Sequence, residues 1–258
     1  MRLCVHWIYA ASTWARYSSQ TDQKLDHDIS VIQSTMDPWK DLVNAIIEQR
    51  GRIEVKPSDL EGRIVQHPLY RMTFVMAENR GAVDWFNGSP LNATHGPAYS
   101  LHSHHIFPQS LLYSKGEYDP ENHLHKKIVN EIANRAFLTG ESNMTLSNAE
   151  PAGYLPEIDK KYPGALAKQF VPLDPALWKL DRYEDFLAAR RKLIATAINE
   201  QMLELLKESE PAKHRPLMRC YKRAKAQSWS SSRPCDGTST SNKPTRSCRR
   251  SSPRRWQV

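Results

Sequence analysis

The chain has 258 residues, 40% of them hydrophobic, enough for a packed core in one large domain or two small ones. No run of 18 apolar residues occurs, which argues against a membrane span. The net charge of +8 invites a nucleic-acid reading, but residues 211–258 carry 13 Lys and Arg against a single acid, Asp236. Residues 1–210 hold 23 basic and 27 acidic groups, a net of −4, so the overall charge is weak support for DNA binding. Of the four cysteines only Cys4 precedes residue 211, and no CxxC pair exists. That pattern disfavours a zinc knuckle or a disulfide-stapled secreted domain and fits a reducing cytoplasm.

Taken in chain order, residues 1–80 read as helical. The opening Met1–Ala11 has His6 and Trp7 interrupting its apolar stretch and reads as an amphipathic helix, not a signal peptide. Leu25, Ile29 and Ile32 recur at i, i+4, i+7, and Leu42, Ile46 and Ile47 continue the period after Pro38, with Asp37 as N-cap. Ser58–Glu61 and Leu69–Met76 suggest two more short helices. Glycines and prolines from Gly81 to Pro97 mark a loop around Asp84-Trp85. Ser100–Phe107 then reads as a strand closed by Pro108, and a polar loop follows with Gly116, Asp119-Pro120 and Lys126-Lys127. Arg135–Thr139 reads as a second strand, and Glu141 onward as a short helix ending before Pro151. Pro156, Pro163 and Pro172 mark a linker, and Asp181–Lys207 is the longest helix, with an Arg190-Arg191-Lys192 face. The Ser-, Arg- and Pro-rich residues that follow lack hydrophobic period and are expected to be disordered; their abrupt onset is also compatible with an out-of-frame extension.

The chemistry-bearing residues lie in the middle of the chain. His104 and His105 precede Ile106-Phe107-Pro108, and Asn134 and Asn143 follow, nine residues apart. Successive side chains of a strand point to opposite faces, so one histidine can face a metal while the other faces an attacking water. Asn143, on the helix after the second strand, can offer an amide oxygen as a further ligand, and a His–Asn pair leaves most positions of a Mg²⁺-type ion open. Asn134 is placed to bond across to the strand of His105 and fix its ring. An activated water, charge neutralisation and leaving-group assistance are what phosphodiester hydrolysis requires.

With His104, His105, Asn134 and Asn143 in this order, the segment resembles an HNH (ββα-metal) endonuclease, and the Asn134–Asn143 spacing is that of the HNH domain of RNA-guided CRISPR nucleases. The similarity extends over roughly residues 1–205 to the C-terminal half of GmrSD-type proteins, modification-dependent (type IV) restriction systems of bacteria. It is carried by Asp84-Trp85, His104–Ser110, Asn130–Asn134, Phe137-Leu138-Thr139, Asn143, Pro151–Leu155 and the Phe186-Leu187…Arg190-Arg191 helix. The resemblance implies a metal-dependent DNA endonuclease in phage defence, with His105 as general base, Asn134 orienting it, and His104 and Asn143 as metal ligands. Mg²⁺ or Mn²⁺ is the implied ion. HNH enzymes often have Asp or Glu where His104 stands, and a neutral ligand shifts preference toward Mn²⁺, Ni²⁺ or Zn²⁺. The family's usual N-terminal half, a nucleotide-dependent domain, is not in the sequence, so a truncated protein or a stand-alone HNH subunit is expected, with that domain or subunit as a partner.

The expected architecture is α+β and mostly helical: a helical region (1–95), a small ββα-metal module (96–158), a linker and long C-terminal helix (159–208) and a basic tail (209–258). Lys126, Lys127, Arg190 and Arg191 are secondary candidates for substrate contact, each equally readable as a charged surface. His102, His123 and His125 read as solvated. Two rival functions remain open: a non-catalytic nucleic-acid-binding fragment of a larger restriction protein, and an RNA-cleaving or toxin-type HNH nuclease.

Overall fold

In the computed structural model, which describes residues 2–93 and 100–207, the apolar periodicity of the N-terminal region forms α1 (Arg2–Thr13), α2 (Thr21–Ser34), α3 (Pro38–Arg50) and α4 (Pro68–Asn79). Pro38 opens α3, where its missing N–H costs nothing, and Gly51 closes it at φ 76°. The helix expected at Ser58–Glu61 is a single tight turn, Pro57–Asp59. The Leu25, Ile29 and Ile32 stripe of α2 stays 41–49% exposed. That helix is held instead by a polar staple, in which buried Asp28 accepts two hydrogen bonds from Arg16 and one from the Tyr17 hydroxyl.

Two strands follow, β1 (Leu101–His105) and β2 (Arg135–Thr139), paired antiparallel with His104 opposite Ala136 and His105 opposite Arg135. β1 is shorter than expected because the chain leaves the ladder at Phe107, whose backbone N–H and C=O are both taken by the Asn134 side chain. The segment between the strands, expected as a polar loop, contains α5 (Gln109–Lys115) and α6 (His123–Val129). Buried Leu112 and Val129 anchor these two helices, and Asn122 caps the second by accepting from Leu124 N–H and His125 N–H.

Beyond β2 come α7 (Gly140–Leu146), α8 (Pro151–Lys161), α9 (Ala165–Lys168) and α10 (Tyr183–Lys207). Pro156, expected in a linker, lies inside α8. The disorder expected of the tail lies outside the described residues. No helix of the described residues is long and apolar enough to cross a membrane.

Strand β2 is buried between two apolar clusters, and its side chains enter them alternately, as the two-residue period of a strand dictates. Phe137 enters the first, with Ala10, Trp14, Ile46, Leu69, Met72, Met76, Ile194 and Ile198. Ala136 and Leu138 enter the second, with Trp85, Ile106, Phe107, Leu112, Tyr154, Leu155, Phe186 and Leu187. Helix α10 serves both: Phe186 and Leu187 pack in the second cluster, Ile194, Ile198 and Met202 in the first. Between those turns sits Arg190, fully buried, donating to Ala133 O at 2.8 Å and Gln169 O at 2.9 Å. It is a structural arginine with no surface to offer a substrate, and burial lowers its pKa to about 9.

β2 has no third strand on its free edge, yet that edge is not bare. The buried Gln169 side chain accepts from Phe137 N–H at 2.8 Å and donates to Phe137 O at 3.0 Å, as a neighbouring strand would. Gln169→Leu leaves both Phe137 backbone groups unpaired in the interior and should cost about 2–4 kcal/mol of stability. Urea unfolding measures it; a change below about 0.5 kcal/mol would show that the edge does not depend on this amide.

Candidate active site

The site is assembled where β1 ends, β2 begins and α7 departs. Asn134 is the hinge pin of this corner. Its amide oxygen accepts from Phe107 N–H (2.8 Å), its amide nitrogen donates to Phe107 O and Val129 O (3.0 Å each), and its backbone C=O accepts from Ile106 N–H (2.9 Å). With the residue fully buried, every polar atom of the amide has a partner. Asn134 thereby fixes the backbone that follows His105. The expected bond across to the strand that carries His105 is present, and it is made to the backbone of Ile106 and Phe107.

The ring of His105 is instead met by Asn130, whose Oδ1 lies 3.2 Å from His105 Nε2. The same oxygen accepts from Gln109 Nε2 at 2.8 Å and Arg135 Nη2 at 2.7 Å, while Asn130 Nδ2 donates to Lys126 O. An amide oxygen cannot donate, so His105 Nε2 carries the proton and the lone pair resides on Nδ1. Burial, then the Arg135 guanidinium, push the His105 pKa down to about 3, which keeps the imidazole neutral.

His104 points to the other face of β1, into the second cluster, and is 2% exposed. Trp85 and Tyr154 pack edge-on against its ring, with centroids 6.2 Å away in each case. Its Nδ1 lies 2.9 Å from Asn143 Oδ1 and its Nε2 3.4 Å from the Tyr154 hydroxyl. Burial lowers its pKa to about 4, so this ring too is neutral.

Asn143 is delivered by the first turn of α7. Thr139 caps that helix by accepting from Ser142 N–H. Buried Asp84 ties the same turn to the preceding loop: it accepts from Thr139 N–H (2.7 Å), the Ser142 hydroxyl (2.6 Å), Phe86 N–H (2.9 Å) and Asn87 N–H (3.1 Å). Burial alone would raise the Asp84 pKa; these four donors, Ser142 foremost, hold it below the usual carboxylate range. The loop turns on Gly88 at φ 72°, where the Tyr162 ring leaves no room for a side chain.

The structure thus brings His104 and Asn143 together and sets His105 on the opposite face with Asn130, Gln109 and Arg135. Among the described residues no group of three or more His, Cys, Asp or Glu converges as a metal cage. The His104–Asn143 pair does suit a divalent ion. Adjacent ligands about 2.1 Å from a six-coordinate ion are about 3 Å apart, and two protein donors leave room for water and a phosphate. Lys126 and Lys127 lie exposed on the last turn of α6, next to Asn130. Arg191 is engaged by the fully buried Glu131, at 2.6 Å. His102 is exposed on β1, within 3.2 Å of the Ser100 hydroxyl.

The family model that describes the GmrSD restriction endonucleases, C-terminal domain, matches residues 66–197, which spans both strands, α7 and most of α10. The chain belongs to that family. No curated protein and no solved structure matches the chain. The GmrSD C-terminal domain match begins within the loop before α4 and includes Asp84, Asn130, Tyr154 and Arg190 along with the two histidines. Gln109, Asn130 and Tyr154 fall in segments that carry the family resemblance, but their contacts are not written in local sequence; only the fold brings them, with Arg135, to His104 and His105.

Proposed function

We propose that this chain is a metal-dependent DNA endonuclease of the HNH type, hydrolysing phosphodiesters in bacterial restriction and phage defence. The observation that supports it best is the His104–Asn143 pair, two neutral donors 2.9 Å apart on a strand and a following helix, with a neutral histidine next in sequence. His104 and Asn143 would hold one divalent ion, Mg²⁺ or Mn²⁺ first and Ni²⁺ or Zn²⁺ by virtue of the imidazole. Bound there, the ion supplies charge neutralisation at the scissile phosphate and at the leaving 3′ oxygen.

His105 is the general base. Its Nδ1 lone pair takes the proton of the attacking water, and the Nε2–H bond to Asn130 holds the ring while positive charge develops on it. Asn134 keeps the strand end in place by tying Phe107 to Val129. Of the four candidates, Lys126 and Lys127 are exposed and open to phosphate contact, and Arg190 is buried. A nucleotide-dependent domain or subunit completes the proposed restriction system.

A plasmid-nicking assay with Mg²⁺, Mn²⁺ and EDTA tests the reading. Nicking is expected with metal and none with EDTA; a plasmid that stays intact under every condition while still binding the protein would establish a docking module instead. Repeating the assay on base-modified phage DNA tests the restriction role. Asn143→Ala should weaken Mn²⁺ affinity about tenfold or more, read by calorimetric titration, and an unchanged isotherm removes Asn143 from the ligand set.

A further inference from the structure

Tyr154 is buried on α8, and its single hydroxyl proton is already committed: the phenol donates to Ile106 O at 2.8 Å. The phenol oxygen also lies 3.4 Å from His104 Nε2, where it has only lone pairs left to present. The other ring nitrogen, Nδ1, faces the Asn143 amide at 2.9 Å. A neutral imidazole carries one proton, so one of these two contacts receives a donor and the other a lone pair. The two partners are not equivalent. The Asn143 amide can turn to present either N–H or C=O, whereas the phenol has spent its only proton. A lone pair at Nε2 would face the phenol oxygen in a buried space with no donor available to either atom.

We infer that Tyr154 is a positioning residue that holds His104 as the Nε2–H tautomer, so that the Nδ1 lone pair is kept for a cation shared with Asn143. The relay runs from His104 Nε2–H to the Tyr154 oxygen and from the Tyr154 hydroxyl to Ile106 O. It anchors the ligand ring to the backbone residue that directly follows His105. Histidines that ligate metals commonly give their second N–H to such a partner, and removing the partner weakens metal binding 10- to 100-fold. For this tautomer the Asn143 amide has to present Nδ2–H to Nδ1 while no ion is bound, the reverse of the orientation that sets Oδ1 2.9 Å from Nδ1; with an ion, Oδ1 faces the cation. The part of this inference that concerns the ion rests on the reading of His104 and Asn143 as ligands, and the tautomer does not.

The test uses the full chain, metal-free, with ¹⁵N in the histidine rings, and long-range ¹H–¹⁵N spectra that report which ring nitrogen is protonated. Wild type should show His104 protonated on Nε2. Tyr154→Phe should move the population toward Nδ1–H and lower Mn²⁺ affinity about tenfold in calorimetric titration. A purely structural tyrosine would lower the melting temperature in that variant and leave the tautomer unchanged, which would overturn the inference. So would an Nδ1–H signal in the wild type, a result that stands even if Tyr154→Phe does not fold. A shifted tautomer with unchanged Mn²⁺ affinity would remove His104 from the ligand set, overturning the metal half and the proposed ligand pair together.

Discussion

His105→Ala is expected to lower plasmid cleavage by about 10²- to 10⁴-fold, the usual contribution of a positioned general base, while leaving the fold and Mn²⁺ affinity in place. The two halves of that expectation come from different faces of β1. His105 lies with Arg135 and Asn130, and His104 meets Asn143 on the opposite side, so deleting the first ring leaves the ligand pair untouched. The loss of stability should be small because Asn130 Oδ1 keeps two other donors, Gln109 and Arg135. Added imidazole, which fits the space vacated by the side chain, should restore part of the rate. Activity within tenfold of wild type, measured beside an Asn143→Ala control, would sink the assignment of His105 as base.

The largest stability effect is expected at Asp84. Asp84→Ala withdraws the acceptor of four donors at once, two of them, Thr139 N–H and the Ser142 hydroxyl, buried; the Ser142 hydroxyl keeps the Thr139 hydroxyl 3.0 Å away. An unpaired buried donor costs about 1–3 kcal/mol, so the variant should lose about 3–5 kcal/mol in urea unfolding. The same change frees the first turn of α7 and should weaken metal binding through Asn143, a residue that Asp84 does not touch. The pH dependence has a definite sign. Because the folded-state pKa of Asp84 lies below its unfolded value near 3.9, its contribution is complete above about pH 4 and is lost as pH falls through the depressed value. Stability of the wild type should therefore fall on acidification in a range where Asp84→Asn shows no corresponding loss. Equal acid sensitivity in the two proteins would show that the carboxylate charge contributes nothing.

The strand–strand–helix at the centre was legible in the sequence because its signals are local. Arg135–Thr139 is a short apolar run after a polar stretch, and its observed limits coincide with the expected ones. His104 and His105 separate onto two faces by the strand period alone. What the sequence concealed depends on distant partners. Helices α5 and α6 have seven residues each, too short for a clear period, and each has a single buried anchor, Leu112 and Val129. Asn130 is 25 residues from His105, and although its segment carries the family resemblance, nothing local assigns it to that ring. Arg190 misleads for another reason. Arg190-Arg191-Lys192 reads as one charged face, yet a helix turns about 100° per residue, and Arg190 falls in line with buried Phe186, Ile194 and Ile198 at four-residue steps. The signal was present in the spacing and was masked by the charge of its neighbours.

The Gln169 amide on the outer edge of β2 has a consequence for how the molecule breathes. Two-stranded ribbons ordinarily fray, since one side of each strand is open to water. Here all five residues of β2 are buried, one edge is paired with β1, and the other is closed at its centre by a side chain from beyond α9. Their amide hydrogens are expected to exchange through opening of the surrounding clusters, which native-state hydrogen exchange would measure. The backbone that leads to Asn143 is thus expected to open only with the fold around it, so the His104–Asn143 geometry should persist as long as the protein stays folded.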